Sequence, residues 1–280
     1  MKGEQLLRGQ VAVVTGASRG IGKGIALELG VAGATVYITG RTVNDAGKAL
    51  PGTVGATAQE VTELGGTGIA AQCDHGEDSQ VKALFERVRD EQGRLDILVN
   101  NAFTLPDEPT FEGSFWEHDV GLWDTMIHVG CRGHYVASHA AVPIMIERGS
   151  GLIVNISSFA GAAYIFSVPY GVGKAAVDRM ARDMSVELRP HGITAVSLWP
   201  GVVRTEYLVQ RHAAGEVPFD IKDGESPRFT GRAVVALASD PNLLEKTGSV
   251  TPVVDLAAEY GFTDVDGRSP GPLNVQMGLG

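Results

Sequence analysis

A glycine-rich stretch that directly follows the first apolar run constrains the fold of this chain most strongly. Residues 11–14 are apolar and largely β-branched, which is typical of a strand buried on both faces. The chain then reads T-G-A-S-R-G-I-G over 15–22, and a helical pattern follows in which Ile21, Ile25 and Leu29 share one face. A second strand is predicted at 34–39. The sequence therefore opens with a βαβ unit that contains a glycine loop.

The glycine spacing indicates a dinucleotide site. Gly16 permits a tight turn, and Gly20 and Gly22 let backbone and helix come close, so that the helix N-terminus faces a pyrophosphate. The phosphate loop G-x-x-x-x-G-K-[ST] is excluded, because Ala17 and Gly24 stand where that motif needs glycine and a hydroxyl residue.

The end of the second strand indicates which cofactor binds. A carboxylate there would bind the ribose 2′-hydroxyl of NAD, whereas a basic residue suits a 2′-phosphate. This chain has Gly40-Arg41-Thr42, and Arg19 lies inside the glycine loop. Two guanidinium groups at one phosphate site favour NADP(H), with NAD(H) as the alternative. Two solvated surface arginines are the competing interpretation.

Strand and helix patterns alternate along the rest of the chain, without a linker or a change of composition. This predicts an α/β fold: a single doubly wound Rossmann domain over residues 1–280, with a seven-stranded parallel sheet flanked by helices. Residues 206–229 are polar and irregular in pattern, and we predict a substrate lid there, whereas 270–280 form a loose tail. Residues 43–58 are expected to be a loop insertion, and a last helix is predicted at 231–239. The remaining strands are predicted at 68–72, 95–99, 151–156, 193–198 and 249–254.

Composition excludes several functions. The formal net charge of −10 argues against a nucleic-acid-binding surface. Cys73 and Cys131 form neither a disulfide framework nor a zinc cluster, and His134 and His139 lack the spacing of a helical metal pair, so we predict no metal site. The N-terminus lacks the apolar core of a signal peptide, and no apolar run approaches the roughly 20 residues that span a bilayer. We therefore expect a cytoplasmic protein with no membrane partner.

The stretch P-Y-G-V-G-K-A-A over 169–176 indicates acid–base chemistry. Pro169 suits the first turn of a helix, and Tyr170 and Lys174 then share one helix face. An ammonium beside a phenol lowers the pKa of the phenol, which makes Tyr170 a candidate general acid and base. Asp74 follows the third predicted strand, where ligands bind in such sheets.

Five motifs in order resemble those of the short-chain dehydrogenase/reductases, and the resemblance covers roughly residues 9–255. They are T-G-A-S-R-G-I-G, N-N-A, I-S-S, Y-x-x-x-K and P-G-x-x-x-T. The resemblance implies an oxidoreductase that interconverts a carbonyl and a secondary alcohol by hydride transfer. It also implies a homodimer or homotetramer that associates through the helices around 122–146 and 170–188.

The resemblance also implies roles for single residues. Tyr170 is the proton donor, Lys174 lowers its pKa and holds the nicotinamide ribose, and Ser158 bonds the substrate oxygen, with Ser157 as the alternative. Asp74 faces the adenine, Asn100 supports the cofactor, and Val203 and Thr205 meet the carboxamide. The full set of cofactor-binding residues is Gly16, Ser18, Arg19, Gly20, Ile21, Gly22, Arg41, Thr42, Asp74, Asn100, Ala102, Tyr170, Lys174, Pro200, Gly201, Val203 and Thr205.

Two positions depart from the family pattern. Phe103 replaces the glycine of N-N-A-G, and Gly130 replaces an asparagine that helps to organise a water relay to the lysine. The role of that asparagine could be taken by the Gly130 carbonyl oxygen with a water, or by His128. If neither takes it, reduced activity is expected. Phe103, Tyr164 and Phe166 are candidates for an apolar substrate pocket, although each could equally be core. The missing asparagine motivates a rival hypothesis, a non-catalytic NADP(H)-binding sensor or scaffold.

Overall fold

The computed structural model describes residues 5–106, 113–217 and 219–271. Within these ranges the strands are β1 (Val11–Val14), β2 (Thr35–Gly40), β3 (Thr67–Gln72), β4 (Ile97–Asn100), β5 (Gly151–Ile156), β6 (Ile193–Trp199) and β7 (Val250–Pro252). The α-helices are α1 (Gly20–Val31), α2 (Val54–Glu63), α3 (Asp78–Gln92), α4 (Gly121–Ile127), α5 (Gly133–Arg148), α6 (Val168–Leu188), α7 (Glu206–Ala213), α8 (Pro227–Ala238) and α9 (Val253–Tyr260). A π-helical turn, His128–Arg132, joins α4 to α5.

The described strands form a seven-stranded parallel sheet in the order β3-β2-β1-β4-β5-β6-β7. Val11 pairs with Thr35 at the start of β1 and β2, and Gly151 pairs with Ile193 at the start of β5 and β6. All residues of β1 and β4 are buried, and apart from Asn100 they are apolar, as expected of strands that are covered on both faces. The predicted doubly wound Rossmann-type fold is confirmed.

The chain divides into two compact units. The first contains the described residues of Met1–Gln72, Pro200–Leu243 and Thr251–Gly280. In it, α1 packs on α2 and α8, and a Cβ at Gly24 would lie 2.1 Å from the Pro227 carbonyl oxygen. Only glycine permits so close an approach of the two helix backbones. The prediction of a single domain over residues 1–280 stays a prediction.

The second unit contains the described residues of Cys73–Trp199 and Leu244–Val250. In it, α3 packs on α5, α4 on α6, and α6 against β6. The start of α6 is set by two residues of its sequence. Ser167 accepts a hydrogen bond from the Tyr170 backbone N–H at 3.4 Å, and Pro169 occupies the first turn, where its missing N–H has no helical partner. These two residues hold Tyr170 in the first turn of α6.

The structure corrects three sequence-based boundaries. Residues 206–229 are not irregular, because they contain α7 and the first turn of α8, which begins before the predicted residue 231. Residues 54–58 of the expected insertion belong to α2. The last strand ends at Pro252, and a helix missed by sequence analysis follows it. Most of the predicted tail, 272–280, lies outside the described residues, and the lid stays a prediction.

Candidate active site and cofactor pocket

The glycine loop in the first unit presents a helix N-terminus to an anion. Gly16 and Gly20 have φ values of +66° and +58°, a region that residues with a Cβ rarely enter. The Gly20 N–H donates to Glu206 Oε2 at 2.8 Å. A carboxylate therefore lies where the N-terminal N–H groups of α1 would bind a phosphate. Sequence analysis did not identify Glu206, which is near Gly20 only after folding.

Arg19 fastens the following loop to the glycine loop. Its Nε donates to the Pro51 carbonyl oxygen at 2.8 Å, and its Nη2 donates to the Gly52 carbonyl oxygen at 2.9 Å. The Gly52 N–H in turn donates to Asp45 Oδ2 at 2.7 Å. These bonds fold residues 43–53 back onto the glycine loop.

The folded loop completes a cationic pocket of about 660 Å³. Arg19 and Arg41, both predicted, line it together with Lys48, which sequence analysis did not identify. Three cations in one concave site suit an anionic ligand such as a phosphate monoester. The other lining residues are Thr42, Val43, Asn44, Ala49 and Leu50.

The remaining predicted residues of the glycine loop differ in exposure. Ser18 is buried, Ile21 is half-buried and Gly22 lies inside the first turn of α1. Ser18 also accepts a hydrogen bond from Thr57 through its carbonyl oxygen at 3.5 Å. This contact holds α2 against the glycine loop.

Residues 200–205 are held by a buried glutamate. The Gly201 N–H donates to Glu225 Oε2 at 3.0 Å, and the Arg204 N–H donates to the Glu225 carbonyl oxygen at 2.9 Å. Thr205 Oγ1 accepts a hydrogen bond from the Leu208 N–H and caps α7. Pro200 and Val203 are buried. Glu225 thus holds residues 200–205 in place, although the P-G-x-x-x-T motif does not include it.

In the second unit, the Ser158 side chain interacts with the Tyr170 phenol and acts to lower its pKa, against the larger effect of burial. Ser158 Oγ accepts from the Ala160 N–H at 3.2 Å, which leaves its hydroxyl hydrogen available for the phenol oxygen. Ser157, the alternative, instead donates to the Lys174 carbonyl oxygen at 3.1 Å and is buried. The geometry thus brings Ser158, rather than Ser157, to the tyrosine.

Lys174 is buried beneath aromatic rings. Its Nζ donates to the Ile156 carbonyl oxygen at 3.1 Å and lies 4.8 Å from the centre of the Phe103 ring and 5.8 Å from that of Tyr170. Burial lowers the pKa of Lys174 to about 8, against an opposing attraction to Asp178.

The pKa of Tyr170 does not follow the sequence-based expectation. Burial raises it above the ordinary value of a phenol, and the hydrogen bond with Ser158 opposes that rise. The depression expected from Lys174 is absent, since desolvation of the phenolate dominates.

Two of the three predicted substrate residues contact Tyr170. The ring centres of Phe103 and Phe166 lie 5.9 and 5.3 Å from that of Tyr170. Phe166 has a φ of +64°, a strained region for a bulky residue. Tyr164 is 73% exposed, and its hydroxyl donates to the Phe166 carbonyl oxygen at 3.4 Å. Within the described ranges, Phe103 and Phe166 thus form an aromatic wall beside Tyr170.

The last residue of β4 and a residue that follows β3 make internal contacts. Asn100 is fully buried, and its Nδ2 donates to Ser138 Oγ and Asn155 Oδ1, both at 2.9 Å. Asp74 Oδ1 accepts from the Gly76 N–H at 2.9 Å. These bonds orient the loops after the two strands, so any support that Asn100 gives to a cofactor acts through its neighbours.

Two histidines bind backbone carbonyl oxygens nearby. Burial lowers the pKa of His134 to about 3, so the ring is neutral, and its Nε2 lies 3.1 Å from the Ala102 carbonyl oxygen. This contact requires the Nε2-protonated tautomer. His128, considered as a substitute for the family asparagine, places Nε2 3.1 Å from the Gly76 carbonyl oxygen.

Comparison with known proteins places this arrangement in a family. The family model described as short chain dehydrogenase matches residues 10–215. The chain belongs to this short-chain dehydrogenase family. This short-chain dehydrogenase is 49% identical over 286 residues to Dehydrogenase/reductase SDR family member 1 of Mus musculus, covering 98% of this chain and 88% of that protein. It is 48% identical over 274 residues to the protein of the same name from Homo sapiens, covering 94% of this chain and 85% of that protein.

Comparison with solved structures supports the same family. A short chain dehydrogenase from Mycobacterium thermoresistibile has a TM-score of 0.80 and 27% identity, covering 95% of this chain and 92% of that chain. The family is one of oxidoreductases that act on CH–OH or C=O groups of small molecules with NAD(P)(H). Across the described ranges, no helix is both long and apolar enough to cross a membrane.

Proposed function

We propose that this short-chain dehydrogenase uses NADP(H) to interconvert a carbonyl and a secondary alcohol on a hydrophobic small molecule. The observation that carries the proposal is the contact between Ser158 and Tyr170 beside the buried Lys174 ammonium. In the reductive direction Tyr170 donates its phenolic proton to the carbonyl oxygen, and in the oxidative direction its phenolate accepts the proton of the alcohol. Ser158 donates a hydrogen bond to the same oxygen and stabilises its developing negative charge.

Lys174 supports this proton transfer by its charge. Its Nζ lies 5.8 Å from the centre of the Tyr170 ring, and a positive charge near a phenol favours the phenolate. When bound, the nicotinamide supplies or accepts the hydride. Lys174 also has N–H groups to offer to the ribose hydroxyls, a role that the family resemblance implies.

The cationic pocket supports NADP(H) over NAD(H). Its three cations, Arg19, Arg41 and Lys48, suit a 2′-phosphate, and none of the lining residues within the described ranges is a carboxylate that would bind a 2′-hydroxyl. The glycine loop fits a pyrophosphate, because Gly16 and Gly20 adopt the left-handed conformation that a tight phosphate-binding turn requires.

The aromatic wall supports an apolar substrate. Phe103 and Phe166 pack against the Tyr170 ring and present apolar ring surface beside its phenol. Hydrophobic ketones, aldehydes and quinones are therefore the substrates to test first.

The proposal is tested by NADPH oxidation with a panel of such carbonyl compounds. Turnover is expected from the wild type, and Tyr170→Phe should abolish it while NADPH still binds, because the ring remains and only the hydroxyl is lost. Tyr164→Phe is the matched control, since this tyrosine is exposed and lies just before α6, whereas Tyr170 lies in the first turn of that helix. Ser158→Ala should reduce turnover strongly.

A different result would favour the rival function. Tight NADPH binding without Tyr170-dependent turnover of any compound would indicate a cofactor sensor or scaffold. The observation that keeps this candidate open is Gly130, which has no side chain with which to organise a proton relay.

We also propose a cytoplasmic homo-oligomer. Tyr135 on α5 and Val186 on α6 are 55% and 75% exposed, which supports association through these helices. Sedimentation equilibrium measures the oligomeric state of the wild type and of Val186→Glu. The variant should be monomeric, because it places a charge in the proposed interface. We further propose that 206–229 forms a lid over the substrate.

A further inference from the structure

Phe103 and Gly130 occupy complementary space. A Cβ built on Gly130 would lie 2.2 Å from Phe103 Cδ2 and 2.6 Å from Cε2. Real Cβ contacts are never so short, so a side chain at residue 130 and this ring position exclude each other. The ring thus fills the volume that the absence of a side chain at Gly130 leaves open.

The backbone that carries Phe103 is held from the same helical stretch. His134 is four residues beyond Gly130, and its Nε2 binds the carbonyl oxygen of Ala102, the residue before Phe103. His134 is 2% exposed and neutral. The segment before the ring and the ring itself are therefore both fixed by residues 130–134.

The fixed ring covers a charge. The Lys174 ammonium lies 4.8 Å from the centre of the Phe103 ring, a distance typical of a cation–π contact. Lys174 is 7% exposed, and its Nζ donates to the Ile156 carbonyl oxygen. The Phe103 and Tyr170 rings also meet at an interplanar angle of 80°. One phenylalanine thus contacts both groups that the proposed proton transfer uses.

We propose that Phe103 is a positioning residue: seated against Gly130, its ring holds the Lys174 ammonium beside Tyr170 by a cation–π contact. The consequence for turnover rests on the proposed function, but the seating of the ring and its contact with the ammonium do not. The inference accounts for both departures from the family pattern as one paired change.

A double-mutant cycle of thermal stability tests the seating. Gly130→Ala should lower the unfolding temperature clearly, because the new methyl group meets the ring. In a Phe103→Ala background the same change should be nearly neutral, because the ring is gone. A Gly130→Ala variant as stable as the wild type, or an equal loss in both backgrounds, would overturn the inference.

A titration of Lys174 tests the contact with its charge. Phe103→Leu removes the π face but keeps a large apolar side chain. This variant should therefore fold even if Phe103→Ala does not. Lysine-specific NMR of the Lys174 side chain should show its ionisation constant changing by roughly threefold to tenfold toward the neutral form. Asp178, Cys131 and His134 also act on this ammonium and are unchanged in the variant. Phe262→Leu, whose ring packs on Phe229 in the first unit, is the matched control and should leave the titration unaltered.

The two proposals fail separately. If Tyr170→Phe leaves turnover intact, the proposed acid–base role is wrong, whereas the stability cycle and the titration still measure the seating of Phe103. If Phe103→Leu leaves the Lys174 titration unchanged, Phe103 does not position the charge, even where Tyr170-dependent turnover is found.

Discussion

Replacing Lys48 with glutamine should weaken NADPH binding and leave NADH binding nearly unchanged. Lys48 lines the cationic pocket with Arg19 and Arg41 but is itself exposed. Two unit charges about 4 Å apart interact with about 1 kcal/mol in water and about 4 kcal/mol at an effective dielectric of 20. For an exposed lysine facing a phosphate, an intermediate interaction energy of roughly 1–2 kcal/mol is expected. Its loss would raise the Kd for NADPH by about five- to thirtyfold.

The assay is titration of each nucleotide against the wild type, Lys48→Gln and Arg41→Gln, at low and at high salt. Lys82→Gln, an exposed lysine on α3, is the matched control. The loss should shrink at high salt, because exposed charges are screened. An equal loss of affinity for NADH and NADPH, or no loss at all from Lys48→Gln, would refute the assignment of this pocket to the 2′-phosphate.

Two further predictions concern buried or competing charges. Folding lowers the pKa of Lys174 from 10.5 to about 8, so the unfolded chain binds more protons than the folded chain between these two pH values. The free energy of unfolding of the wild type, relative to that of Lys174→Met, should therefore rise by roughly 3 kcal/mol as the pH increases across this window. Denaturant titrations of both proteins measure this difference, and a pH-independent difference would contradict it. Glu206→Gln should tighten NADPH binding severalfold, about 1 kcal/mol, because the carboxylate on the Gly20 N–H repels the pyrophosphate. Calorimetry of this variant against Glu245→Gln checks the effect, and unchanged affinity would show that Glu206 does not compete.

Local signals were sufficient for most of the fold. The strand at 11–14, the helix that carries Tyr170 and the doubly wound order all follow from short apolar runs, caps and glycines close together in sequence. The final helix was missed because Val253 and Val254 extend a β-branched run. The pattern of Val253, Leu256 and Ala257, all buried, has helical spacing and was the available signal.

The site was less predictable because its contacts join distant residues. Lys48 reaches the pocket only after Arg19 binds the carbonyl oxygens of Pro51 and Gly52. Sequence alone left Ser157 and Ser158 as alternatives, and their different partners appear only in three dimensions. The fit of Phe103 against Gly130 likewise depends on two segments that no local pattern connects.

The way in which Arg19 ties down residues 43–53 has an evolutionary consequence. This surface segment supplies a cation to the proposed phosphate pocket without contributing a strand to the sheet. Exchange of this segment between relatives would change which coenzyme, NADP(H) or NAD(H), the protein binds, and the buried sheet and helices would stay the same. Coenzyme preference in such proteins can therefore diverge faster than the scaffold that carries it.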